Sequence, residues 1–277
     1  MGVLSERMSS IMKKPLKIAL IVLCVVFVVV FGVSAFKIIS TLSGYKKAEK
    51  SYEQTSSQFT TVAAPAATPA GKEKEEDIPQ APLEKFPLKV DFNALKETSK
   101  DAVGWIYSPG TPINYPIVRT DDNVFYIEHL PDGDYSANGS IFVDCRNAGD
   151  FSNKNTVIYG HNMNDGSMFA SLRNYRDASY YPNHPAIYIC TPDKYYRLDL
   201  FAGVITPADS YVYAFNFDTD EQFMAYVEML KEESTFKSDV EVKPDDQTVV
   251  LSTCTYEVDD GRYVIVGKLT EIAPPEG

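Results

Sequence analysis

The chain has 277 residues, 44% of them hydrophobic, which is enough for one well-cored domain with appendages. Its formal net charge of -12 leaves nothing to neutralise phosphates as a patch, which argues against a nucleic-acid binder. Eighteen tyrosines and many valines and prolines lean the folded body towards β structure.

Residues 1–17 form a short basic tail, with Arg7, Lys13, Lys14 and Lys17, ahead of an uncharged apolar run from Ile18 to Phe36. At roughly 1.5 Å per helical residue that run matches a bilayer core of ~30 Å, so 18–36 is expected to be a retained transmembrane anchor. A cleaved signal peptide is the alternative, because Val33-Ser34-Ala35 resembles a small-residue cleavage site. Basic residues lie on both sides of the run. The expected topology has the tail in the cytoplasm and the body outside the cell membrane. Residues 37–82 shift to Ala, Pro, Thr, Ser, Lys and Glu, most clearly after Lys46, and are expected to be a flexible spacer.

Order resumes near Phe86, and a folded domain is expected over 83–277. Asp91 can cap a helix with apolar positions Phe92, Leu95, Ala102 and Val103, closed by Gly104. Short strands are then expected at Trp105–Tyr107, Tyr115–Val118, Gly139–Asp144, Asn155–Gly160, Pro185–Cys190 and Tyr195–Val204. One clear helix follows: Thr219 and Gln222 suit a capping box, and Phe223, Tyr226, Val227 and Leu230 make one apolar stripe. Two further strands, Thr248–Leu251 and Tyr263–Leu269, flank a polar loop containing Asp259, Asp260 and Gly261. This pattern predicts a mainly β, closed or nearly closed barrel with peripheral helices.

If the last two strands pair, Cys254 and Arg262 lie side by side at one end of the sheet. A thiol beside a fixed cation is a setting for a stabilised thiolate and for acyl chemistry. Of the three histidines, His161 follows a strand end within a polar loop, as Cys254 and Arg262 flank theirs. Imidazole there can take the thiol proton and return it to a leaving amine. His129 and His184 stand in turn-like surroundings. Cys145 and Cys190 read as packed hydrophobes, with a disulfide between them left open, and Cys24 lies in the apolar run. No metal site is expected. Asp132 to Ser136 imitates the opening of a calcium loop, but Ala137 and Val143 replace its glycine and closing glutamate. Zinc spacings, phosphate-binding glycine loops and dinucleotide fingerprints are absent, so no cofactor is expected.

Leu251-Ser-Thr-Cys254, an arginine opening the strand Val264-Ile-Val-Gly-Lys-Leu269, and Val157-Ile-Tyr-Gly-His-Asn-Met-Asn-Asp-Gly-Ser-Met-Phe169 together resemble the class B sortases. The stretches from Asp91 to Val118 and from Tyr135 to Asn147 carry the same resemblance, which covers about Phe86 to Leu269. It implies a sortase-like closed barrel of about eight strands, with an N-terminal helix and a helix inserted before the cysteine-bearing strand. It further implies a membrane-anchored cysteine transpeptidase with Cys254 as nucleophile, His161 as general acid/base and Arg262 as oxyanion or substrate-orienting residue. Ser252 matches a position lying against the sorting peptide in class B relatives. The implied partners are surface proteins with an NPxTG-like or LPxTG-like signal and a peptidoglycan-precursor amine. A purely hydrolytic cysteine peptidase would share the site. A non-catalytic membrane-tethered binding module is the remaining alternative.

Overall fold

A computed structural model describes residues 2–63, 84–255 and 260–276, with side chains from Ala19 onward. In chain order the elements are helix α1 (Gly2–Phe59), strands β1 (Thr60–Val62) and β2 (Leu88–Val90), helix α2 (Phe92–Thr98), then β3 (Ala102–Tyr107), β4 (Asn114–Val118), β5 (Ile141–Val143), β6 (Asn155–Tyr159), β7 (Ala186–Cys190) and β8 (Tyr195–Pro207). Helix α3 (Asp220–Glu232) precedes β9 (Gln247–Cys254) and β10 (Gly261–Glu271). The chain divides into two compact units, Met1–Lys47 and Ala48–Gly277.

In the first unit, between Leu20 and Leu42, the valine, leucine, isoleucine and phenylalanine side chains of α1 are exposed; Phe27 and Phe31 are 72% and 74% accessible. Such a helix face is stable where hydrocarbon, not water, surrounds it. The stretch Ala19–Phe59 is long and apolar enough to cross a membrane.

The second unit is built on a closed barrel with strand order β10-β8-β7-β3-β4-β5-β6-β9. Each of the eight strands read from the β-branched runs is present. Closure leaves no unpaired sheet edge. Two neighbouring pairs, β4 with β5 and β6 with β9, run parallel, and the others are antiparallel. Helix α3 lays Phe223, Tyr226, Val227 and Leu230 on Val204, Val250 and Val264. Thr219 caps it by accepting from the Gln222 amide at 3.3 Å, while the Gln222 side chain accepts from the Asp218 amide at 3.0 Å. The capping box therefore reaches one residue further back than its usual form.

Two expectations change. Helix α2 stops at Thr98, because the Ser99 amide closes the last turn on the Leu95 carbonyl at 2.8 Å. Ala102 and Val103 belong to β3, and Ala102 pairs with Val118. Asp91 caps α2 as expected, accepting from the Ala94 amide at 3.0 Å.

The spacer expected over 37–82 is helical as far as Phe59 and then forms β1, which pairs antiparallel with β2 from Thr60↔Val90 to Val62↔Leu88. Phe59 is 4% exposed and packs with Phe86, Leu88, Leu95 and Trp105. Tyr52 is buried, and its hydroxyl donates to the Gly139 carbonyl. Residues 48–62 are thus part of the body, and the rest of the expected spacer, 64–83, lies outside the described residues. All four cysteines are free, so Cys145 and Cys190 are not bonded.

Candidate active site

Strand register explains why three distant residues meet. In the β9–β10 hairpin Cys254 is the direct cross-strand partner of Arg262. On the other side of β9 the parallel pairing with β6 sets Tyr159 beside Ser252, and the Gly160 amide continues it by donating to the Ser252 carbonyl at 3.1 Å. Two residues beyond that pair on each strand stand His161 and Cys254. Hence all three lie at one rim of the barrel, and they line one cavity of about 310 Å³. Ser252, Thr253, Tyr159, Phe142, Ile127 and Asn123 complete most of its wall.

Each of the three is held by a named contact. The His161 Nε2 lies 2.7 Å from the Ile127 carbonyl. A carbonyl can only accept, so this assigns the ring proton to Nε2 and leaves the Nδ1 lone pair to take up a proton. Asn162 donates from Nδ2 to the Cys254 carbonyl at 2.8 Å, tying the loop after β6 to the end of β9. Arg262 uses Nη1 for three bonds, to the Asp260 carbonyl at 3.0 Å, the Asp260 carboxylate at 2.9 Å and the Gly261 carbonyl at 3.0 Å. Burial works against the guanidinium charge, but Cys254 and Asp260 outweigh it and raise its pKa. Asp260 adopts φ 47°, and this left-handed turn folds its carboxylate back towards Arg262.

Gly160 permits the close approach at the rim. A Cβ there would meet Ile141 Cδ1 at 2.5 Å and the Phe169 ring at 2.7 Å. Below the cavity Asp144 is fully buried, accepting from Arg146 Nε at 2.9 Å, from Arg146 Nη2 at 2.7 Å and from the Tyr159 hydroxyl at 2.9 Å. Burial alone would raise the Asp144 pKa; the bonds from Arg146 and Tyr159 overcome it and hold the carboxyl at about 2.

Ser252 reaches the same cavity, but it is buried and its hydroxyl is paired with that of Tyr213 at 2.9 Å. The other candidates lie apart. His129 stacks on Phe125 with centroids 4.0 Å apart, and His184 stacks on Tyr180 at 4.0 Å. Cys190 is buried in the core, where desolvation pushes its thiol up. Tyr213, the Ile127 carbonyl and the Asn162 bridge were not foreseen from sequence. Only Asn162, next to His161 in a polar loop, carried any local signal.

Among known proteins, the sortase domain family model matches residues 106–270. Sortase B of Listeria monocytogenes is 39% identical over 184 residues, covering 66% of this chain and 75% of that protein. Sortase B of Staphylococcus aureus is 31% identical over 255 residues, covering 91% of this chain and 96% of that protein. The solved structure of sortase B from Bacillus anthracis superposes with a TM-score of 0.68 at 31% identity, covering 83% of this chain and 99% of that one. With the closed barrel and the cysteine–arginine–histidine rim already in place, these likenesses establish that the chain belongs to the sortase family as a class B cysteine transpeptidase, an enzyme type that anchors surface proteins through their sorting signals.

Proposed function

We propose that Cys254 is the nucleophile, His161 the general acid/base and Arg262 the oxyanion-orienting group, and that the acyl donor is a C-terminal sorting signal cleaved after threonine. The observation that carries this reading is the register, which sets Cys254 opposite Arg262 and level with His161 at one cavity. In the first step His161 Nδ1 takes the thiol proton and the thiolate attacks the threonine carbonyl. The C–S bond forms, the C–N bond breaks, and the imidazolium returns its proton to the departing amine. In the second step a neutral cell-wall amine attacks the thioester. A C–N bond forms, the C–S bond breaks, and the amine's surplus proton passes to His161. The net change is one amide for another.

Among the described residues Arg262 engages only Nη1, so its Nη2 and Nε donors remain for a substrate oxygen. A rigid, permanently charged fork suits that task better than an ammonium. The Ser252–Tyr213 pair forms the wall on which the sorting peptide lies. Helix α1 anchors the enzyme with the body outside the cell, where surface protein and wall precursor meet.

The test is cleavage of fluorogenic NPxTG-like and LPxTG-like peptides by the full chain in detergent, with and without an added amine. Amide product identified by mass spectrometry supports transfer. Cleavage that survives Cys254→Ala overturns the nucleophile assignment.

A further inference from the structure

A second cleft, of about 460 Å³, lies between the end of α1 and the barrel. It presents three carboxylates, Glu49 and Glu53 from α1 and Asp165 from the loop after β6, and among the described residues lining it none is basic. Asn138 also lines it, although only 1% of that residue is exposed. Among the described residues, neither the Asn138 carboxamide nitrogen nor its oxygen has a hydrogen-bond partner. Buried amides without partners cost free energy, so a group that enters the cleft and pairs with this one offsets that cost. The carboxylates select a cation, and the amide both donates to and accepts from a neighbouring peptide group.

Two connections link this cleft to the transpeptidation site. Asp165 belongs to the loop that begins at His161, and Asn138 precedes Gly139, which packs directly on the segment carrying Ile127. At Gly139, φ is +57° and a Cβ would stand 2.3 Å from the Ile127 carbonyl oxygen, the atom that receives His161 Nε2. Tyr52 of α1 bonds the Gly139 carbonyl from the cleft side. The cleft is therefore one backbone layer behind the imidazole.

We propose that this cleft is a docking subsite for the ammonium-bearing part of a peptide amine acceptor. This rests on the reading that the enzyme transfers its acyl group to an amine. Glu49, Glu53 and Asp165 hold the charged amine that does not react, Asn138 pairs with the adjoining peptide group, and a second, neutral amine on the acceptor reaches the thioester.

The experiment has two arms, both with the full chain in detergent. In the first, calorimetry on the Cys254→Ala protein follows binding of Gly-Lys-Ala with free amines and of the same peptide with both amines acetylated. The free peptide binds, weakening as salt rises, and the acetylated one does not. Kd rises at least ~10-fold when Glu49→Gln and Glu53→Gln, both at exposed positions, are combined. In the second arm the active enzyme cleaves a sorting peptide in the presence of Gly-Lys-Ala. The Gln pair lowers the ratio of amide to hydrolysed product about 5-fold or more and leaves the cleavage rate unchanged. Asn138→Ala has the same effect, with circular dichroism to verify its fold. Equal binding by the free and acetylated peptides, or an unchanged product ratio in the Gln pair, overturns the subsite. Loss of cleavage in the parent enzyme instead defeats the transpeptidation reading, and the calorimetric arm is unaffected by it.

Discussion

Phe59 tests whether the end of the long helix is part of the fold or a tether. Its ring is 4% exposed and sits among Phe86, Leu88, Leu95 and Trp105, between helix, β2 and barrel wall. Phe59→Ala removes that contact and leaves a cavity, a change worth about 3–5 kcal/mol in a well-packed core. Because the site lies where two elements dock and can partly collapse, the lower end, about 3 kcal/mol, is expected. With a urea m-value of about 3 kcal/mol/M, the midpoint falls by about 1 M. Trp105 is the chain's only tryptophan, fully buried in the same cluster, so its fluorescence reports the loss directly. The measurement is made on residues 48–277, with Val62→Ala as control, since Val62 is 77% exposed and its loss costs less than about 0.5 kcal/mol. A Phe59→Ala midpoint indistinguishable from the control refutes the reasoning and returns 37–62 to the status of a spacer.

Asp144→Asn removes a carboxylate whose pKa is depressed in the fold, so its stabilisation is present above about pH 4 and lost as pH falls towards 2. The variant is expected to be less stable at neutral pH by up to about 2 kcal/mol, with the difference vanishing near pH 2, as read by thermal melts across that range. Gly160→Ala forces a Cβ into Ile141 and Phe169. Overpacking of this kind costs about 1–3 kcal/mol, and displacement of His161 lowers peptide cleavage along with the melting temperature. Arg262→Lys is expected to lower kcat about 10²-fold with melting unchanged; activity within a factor of two of the parent excludes an oxyanion role.

Much of this architecture is legible in the amino-acid order. Runs such as Thr248–Leu251 and Tyr263–Leu269 are β-branched, bounded by turn residues, and could hardly be anything but strands. The stripe of α3 announced itself by spacing and cap. The end of α1 did not. Residues 46–59 are mostly polar, and their apolar face is only Ala48, Tyr52 and Phe59, three positions that align on a helix but look like linker by composition. Ala102 and Val103 read as a continuation of the helix before them because two apolar residues do not distinguish periods of 3.6 and 2. At the rim, Cys254, Arg262 and His161 could be picked out because each flanks a strand. The Ile127 carbonyl is a backbone atom brought in by a distant segment, and Tyr213 reaches Ser252 from 39 residues away. No local pattern encodes such contacts.

The most direct measurement of the proposed chemistry is intact-mass and peptide-map analysis of the full chain after brief incubation with a sorting-signal peptide and no amine. The expected result is an adduct equal in mass to the acyl fragment ending in threonine, located on Cys254, discharged by added amine to an amide product and missing from Cys254→Ala. An adduct on another residue, or cleavage undiminished in Cys254→Ala, contradicts it.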